Sequence, residues 1–159
     1  MDDVTIARAL HVIAVVFWIG GVGFVTTIVL PAVRRLKEPA ERLALFDSIE
    51  RRFAWQARAT TLLTGLTGLY MLERLDLWDR FRLAGFWWMH AMVAVWLAFT
   101  VVLMVAEPLV LHRWLQASAK ARPEATFALV QRLHWLLLGL SVITVLGAVA
   151  GAHGLVLFQ

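Results

Sequence analysis

The sequence predicts an all-α integral membrane protein: a four-helix bundle with an amphipathic cytoplasmic helix leading into helix 2. Three observations predict it. The first is the length of its uncharged stretches, since a helix needs about 20 mostly apolar residues to cross the hydrocarbon core. Arg8 and Arg34 bracket 25 residues free of Asp, Glu, Lys and Arg, Arg82 and Glu107 bracket 24, and 27 more follow Arg132. A fourth stretch, 53–72, is interrupted only by Arg58. The second observation is size. With 159 residues, four such spans leave no room for another unit, so residues 1–159 form a single four-helix transmembrane domain.

The third observation is where the charge sits. The net charge is +4, and eleven of the fifteen Lys and Arg residues fall within 34–58 and 113–132. Basic residues mark the cytoplasmic loops of membrane proteins. That pattern puts loops 1–2 and 3–4 in the cytoplasm and both termini on the periplasmic side. It also accounts for the basic balance without nucleic acid as a partner. The start, Met1-Asp2-Asp3, has no basic n-region, and the apolar stretch after it is long enough to span. It is therefore expected to stay as helix 1 rather than be cleaved as a signal. There is no cysteine, which excludes disulfides, thiolate metal sites and thiol redox chemistry.

Helix 1 is expected over about 4–30, with Pro31 marking its exit. Gly20, Gly21 and Gly23 in its middle allow close approach by another helix or a flat cofactor. Residues 38–52 interleave charge with Leu43, Leu45, Phe46 and Ile49, the pattern of an amphipathic helix that runs into helix 2 at 53–72. Thr60, Thr61, Thr64 and Thr67 on helix 2, with Gly65 and Gly68, read as packing positions. A short outer loop at 73–82 precedes helix 3 over about 84–112. Trp78, Trp87 and Trp88 form an interfacial belt there. Glu107-Pro108 lies near the inner end, with Glu107 read as a salt-bridged end residue. A polar loop at 116–124 leads to helix 4, from about 126 to the terminus.

The five histidines fall in two layers. His11, His90 and His153 lie toward the outer ends of helices 1, 3 and 4, and His112 and His134 at the inner ends of helices 3 and 4. His90 and His112 are about 33 Å apart along one helix and cannot share a ligand. An ionisable group at membrane depth is costly and usually marks a site. Neutral imidazole is a common ligand for heme iron and for copper. His11 and His90, at matched depth on helices that can face each other, are the expected metal ligands. Trp18, seven residues after His11 on the same face, and His153 join them as candidate cofactor residues. His112 and His134 read as interfacial, a second inner heme being the alternative. Arg51 and Arg52 read as cytoplasmic anchors, with an anionic group as the alternative.

Several of these residues resemble a known family. Arg8-Ala9-Leu10-His11-Val12-Ile13, with Val15-Val16, Trp18 and Gly21, resembles the first helix of HemJ-type protoporphyrinogen IX oxidases of bacteria. Ile49-Glu50-Arg51-Arg52-Phe53 resembles their Met-Glu-Arg-Arg-Leu element, and Trp88-Met89-His90-Ala91-Met92 their Trp-Leu-His-x-Lys element. The related copper-resistance CopD domain is similar in its Leu-His…Trp-x-Gly-Gly helix and its Arg-Arg-Phe element. The resemblance implies a heme b site with the helix 1 histidine as axial ligand, and porphyrinogen oxidation coupled to the membrane electron pool. It carries His11 and His90 over as site residues, and Arg51 and Arg52 as motif positions. Met92 stands where the family has lysine, and a thioether offers neither charge nor a transferable proton.

The expectation is thus a HemJ-like heme b redox protein of the bacterial cytoplasmic membrane, exchanging electrons with a quinone or another membrane carrier. Its substrate would be a porphyrinogen or another small molecule. A homo-oligomer is compatible with this reading. The alternatives are a CopD-like copper-binding or copper-transport protein, using Met89 or Met92 as soft ligands, and a noncatalytic membrane subunit.

Overall fold

The computed structural model describes residues 2–155, and every regular element among them is helical. Four rods make up the bundle. The first joins α1 (Asp2–Phe24) through a π-helical segment, Val25–Val29, to α2 (Leu30–Arg35). The second is α3 (Pro39–Arg74), one unbroken helix of 36 residues. Two short 3-10 turns, Trp78–Arg82 and Ala84–Phe86, lead into the third rod. That rod runs from α4 (Trp87–Val101) through a second π-helical segment, Val102–Leu111, into α5 (His112–Ala121). The fourth is α6 (Pro123–Ala152).

Two expectations about helix ends are corrected. Helix 1 does not exit at Pro31 but continues to Arg35. A proline inside an α-helix collides with the carbonyl four residues back and leaves it without a donor. The wider turn at Val25–Val29, just before Pro31, relieves that collision. Hydroxyls feed the same region: Thr26 donates to the Val22 carbonyl at 2.6 Å and Thr27 to that of Gly23 at 2.8 Å. Pro108 is absorbed the same way, inside the second π-helical segment. The polar stretch after 116 is likewise helix rather than loop, because its Gln, Ala, Ser and Lys carry α5 to Ala121. The expected merger of the amphipathic helix with helix 2 is found, as α3.

α1 packs mainly along α3, and α4 along α6. Near mid-depth α1 also meets α4, where Trp18 and Phe99 stack edge to face with centroids 5.0 Å apart. The larger core lies at the α2 end of the bundle, where Leu30 and Val33 pack with Phe46, Leu115 and Phe127. Arg42, buried at the start of α3, forms an ion pair with Glu124 and donates to the Leu36 carbonyl, closing that end. At the opposite end Asp3 accepts from Tyr70 at 2.7 Å and from Arg74 at 2.8 Å.

Elsewhere large apolar side chains point outward; Phe17, Trp55, Leu66, Leu109 and Leu146 are all more than half exposed. Three of the rods, Asp2–Arg35, Ala84–Ala121 and Pro123–Ala152, are long and apolar enough to cross a membrane. Lipid tails are as apolar as these side chains, so such a surface needs no protein cover there. The chain is therefore a multi-pass membrane protein by length and composition.

Candidate functional site

The outer layer is organised around His11. Its Nδ1 lies 3.0 Å from Thr67 Oγ1 on α3. The Thr67 hydroxyl hydrogen is already committed, because Oγ1 lies 2.6 Å from the Leu63 carbonyl, which can only accept. Thr67 must then accept from His11, which fixes the imidazole as the Nδ1–H tautomer and leaves Nε2 with its lone pair. Gly68 makes room for this ring: a Cβ there would approach His11 Cε1 to 3.3 Å. Sequence reasoning read Thr67 and Gly68 as packing only. Their spacing to His11 lies across two helices, so no local pattern could pair them.

His90 is placed differently. Its ring is exposed, its Nε2–H donates to the Phe81 carbonyl at 2.8 Å, and Phe81 lies edge to face against it at 5.1 Å. Met89 takes the inward position beside it, with 4% of its surface exposed. The expected facing pair is therefore split: His11 turns to α3 and His90 to the turn before α4. The 3-10 turn sets this choice, since its free carbonyl claims the imidazole N–H.

The other candidates sort by depth. Trp18 is buried, and its indole N–H has no partner among the described residues. Trp88 Nε1, packed against α6 beside Gly151, is likewise unpartnered. His153 sits exposed just past α6, with Nδ1–H on the Val149 carbonyl at 2.8 Å and no partner for Nε2 among the described residues. Arg51 and Arg52 are exposed on α3 about 23 Å of helix from Thr67, so they share no site with His11.

The inner layer holds a cavity of about 130 Å³. That is near the ~150 Å³ of a cavity known to hold one benzene, and below the ~300 Å³ at which sites for larger ligands begin. Phe46, Phe53, Glu50, Glu107, His112 and His134 are among the residues that line it. His134 donates Nδ1–H to the Val130 carbonyl at 2.9 Å, and the Gln116 amide lies 3.0 Å from His112 Nε2. Glu107 forms an ion pair with Arg58, as its position near the helix end suggested, and Arg58 also donates to the Leu103 carbonyl at 2.9 Å. Burial raises the Glu50 carboxyl above its usual pKa, helped by Asp47 and opposed by His112 and Arg58. The two inner histidines, read from the sequence as interfacial, thus both line one cavity.

The donor sets test the implied heme. His11 fits an axial ligand: a ligating imidazole usually has its second nitrogen held by a hydrogen bond, and Thr67 supplies one. The orphaned Trp18 N–H fits an acceptor on a bound group. His90 Nε2–H is held by the Phe81 carbonyl, which leaves Nδ1 as its ligating nitrogen, but the ring is exposed and turned to the segment before α4 rather than toward His11. Compared with protein families, curated proteins and solved structures, the chain gives no match.

Proposed function

We propose that this chain is a heme b-binding redox protein of the bacterial cytoplasmic membrane. In this reading α3 is its fourth span and both termini are periplasmic. The observation that carries the proposal is the contact of His11 Nδ1 with Thr67 Oγ1, whose own hydrogen goes to the Leu63 carbonyl; the tautomer that follows leaves Nε2 unprotonated at membrane depth. His11 would hold the iron and Trp18 would offer its N–H to a polar edge of the group. Heme in such a setting supplies one-electron transfer, tuned by ligand, burial and hydrogen bonding. The protein's own work is to fix the imidazole, exclude water and bring the site within reach of a quinone or another membrane carrier. Met92, half-buried on α4, offers no cation to a porphyrinogen carboxylate, so we place the substrate outside a strict HemJ pattern.

A reduced-minus-oxidised absorption spectrum of the purified chain tests this. A Soret band with sharp α and β bands, lost in His11→Ala and kept in His90→Ala, is the expected result. Loss in both variants alike would restore the bis-histidine arrangement. Bound copper without a Soret band would move the assignment to a CopD-like copper protein. Neither cofactor would leave a noncatalytic membrane subunit.

A further inference from the structure

We infer that the inner mouth of the bundle is a divalent-cation site, with Asp47, Glu50 and His112 as its protein ligands. It is separate from the His11 layer and does not depend on the heme proposal. Asp47 and Glu50 stand three residues apart on α3 and so share a face. His112 enters from the first position of α5, directly after the π-helical segment. One ligand atom from each residue lies within 4.8 Å of the other two.

A second observation points the same way. Asp47 Oδ1 is buried and has no hydrogen-bond partner among the described residues. A carboxylate oxygen removed from water and left unpaired is costly, and here a second carboxylate stands beside it. The salt bridges of the described residues pass both groups by. A bound cation answers the desolvation and the repulsion together.

The donor set selects the class of ion. Two carboxylate oxygens and one imidazole nitrogen suit Zn²⁺ and similar first-row ions better than Ca²⁺ or Mg²⁺, which favour all-oxygen shells. At ligand bonds of about 2.0–2.2 Å, two donors on one ion lie at most ~4.4 Å apart. The present spacing closes to that range by small side-chain rotations. The Gln116 amide, one turn further on, lies 3.0 Å from His112 Nε2; turned over so that its oxygen faces the ring, it accepts Nε2–H as an outer-shell partner and leaves Nδ1 to the ion. Water fills the remaining positions. The ion would tie the cytoplasmic arm of α3 to the start of α5 across the cavity.

The test is equilibrium dialysis of the full chain in detergent, stripped with chelator, against Zn²⁺. The expected result is one ion per chain. Asp47→Asn, Glu50→Gln and His112→Ala should each weaken binding at least about tenfold. His11→Ala and Glu73→Gln should leave it unchanged. Wild-type uptake that none of the three substitutions alters, or no uptake at all, overturns the site. If His112→Ala fails to fold, the near-isosteric Asp47→Asn and Glu50→Gln decide the matter alone. Loss of heme with Zn²⁺ uptake intact in His11→Ala separates the two proposals.

Discussion

Replacing Thr67 by valine keeps the shape of the side chain and removes the oxygen that receives His11 Nδ1–H. In the cofactor-free protein the cost is small, because the imidazole can shift tautomer or turn. Once Nε2 is bound to a metal, Nδ1 must keep its proton, and that proton then loses the hydroxyl that accepted it, with only the Thr64 backbone beside it. An unsatisfied buried donor costs about 1–3 kcal/mol. At about 1.36 kcal/mol per decade, this predicts a loss of roughly 5- to 150-fold in heme affinity. Hydrogen bonds behind metal-bound histidines carry a similar weight, about 10–100-fold. The valine also loses the Thr67 bond to the Leu63 carbonyl, but that carbonyl belongs to an intact helix and stays paired within it. Thr67→Ser keeps the oxygen and should bind nearly as wild type. Heme titration of the apoprotein, followed at the Soret band, measures all three. Valine binding heme as tightly as threonine, with the same reduced spectrum, would falsify the tautomer argument.

The Arg58–Glu107 ion pair is only partly exposed, with side-chain accessibilities of 29% and 19%. Arg58→Leu or Glu107→Leu alone should lower thermal stability, each by about 1–3 kcal/mol, and the double variant by less than the sum; strict additivity in denaturation would deny the coupling. Gly65→Ala would place a Cβ 2.5 Å from the Trp96 ring, so the helices must part or the indole must turn, at a cost of about 1–3 kcal/mol. An unchanged melting temperature would show that Trp96 yields freely. A reporter active only in the cytoplasm, fused after Gln159, should stay silent given the eleven-to-four basic asymmetry, and strong signal there would invert the topology.

Much of the bundle was legible because lipid imposes a length rule. Three of the four expected spans appear as long apolar rods, and the fourth stretch is the second half of α3. What lipid hides is the direction a residue faces. In water the apolar stripe of a helix tells which side is buried. α4 is apolar on its lipid side and its core side alike, so its sequence could not say that Met89 faces in and His90 faces the preceding turn. For α1 the small and aromatic residues Ala7, Ala14 and Trp18 mark the buried face, and His11 lies along it. The prolines misled for a related reason. Pro31 reads as a stop only if every turn is an α-turn, and the π-helical segment removes that condition. The inner cavity draws on five separate elements, and no spacing within one of them could reveal it.

The unbroken course of α3 has a mechanical consequence. At about 1.5 Å per residue its 36 residues make a rod of some 54 Å, well beyond a ~30 Å hydrocarbon core. Its projecting end carries Asp47 and Glu50, its middle Arg58, and its far end Thr67 and Gly68. With no proline after its first residue and no π-turn within its span, it has no joint at which to absorb a twist. A turn of the shaft imposed at the Asp47 end would arrive at Thr67, which holds the His11 ring. Two places that share no atom are thereby geared to a single axle.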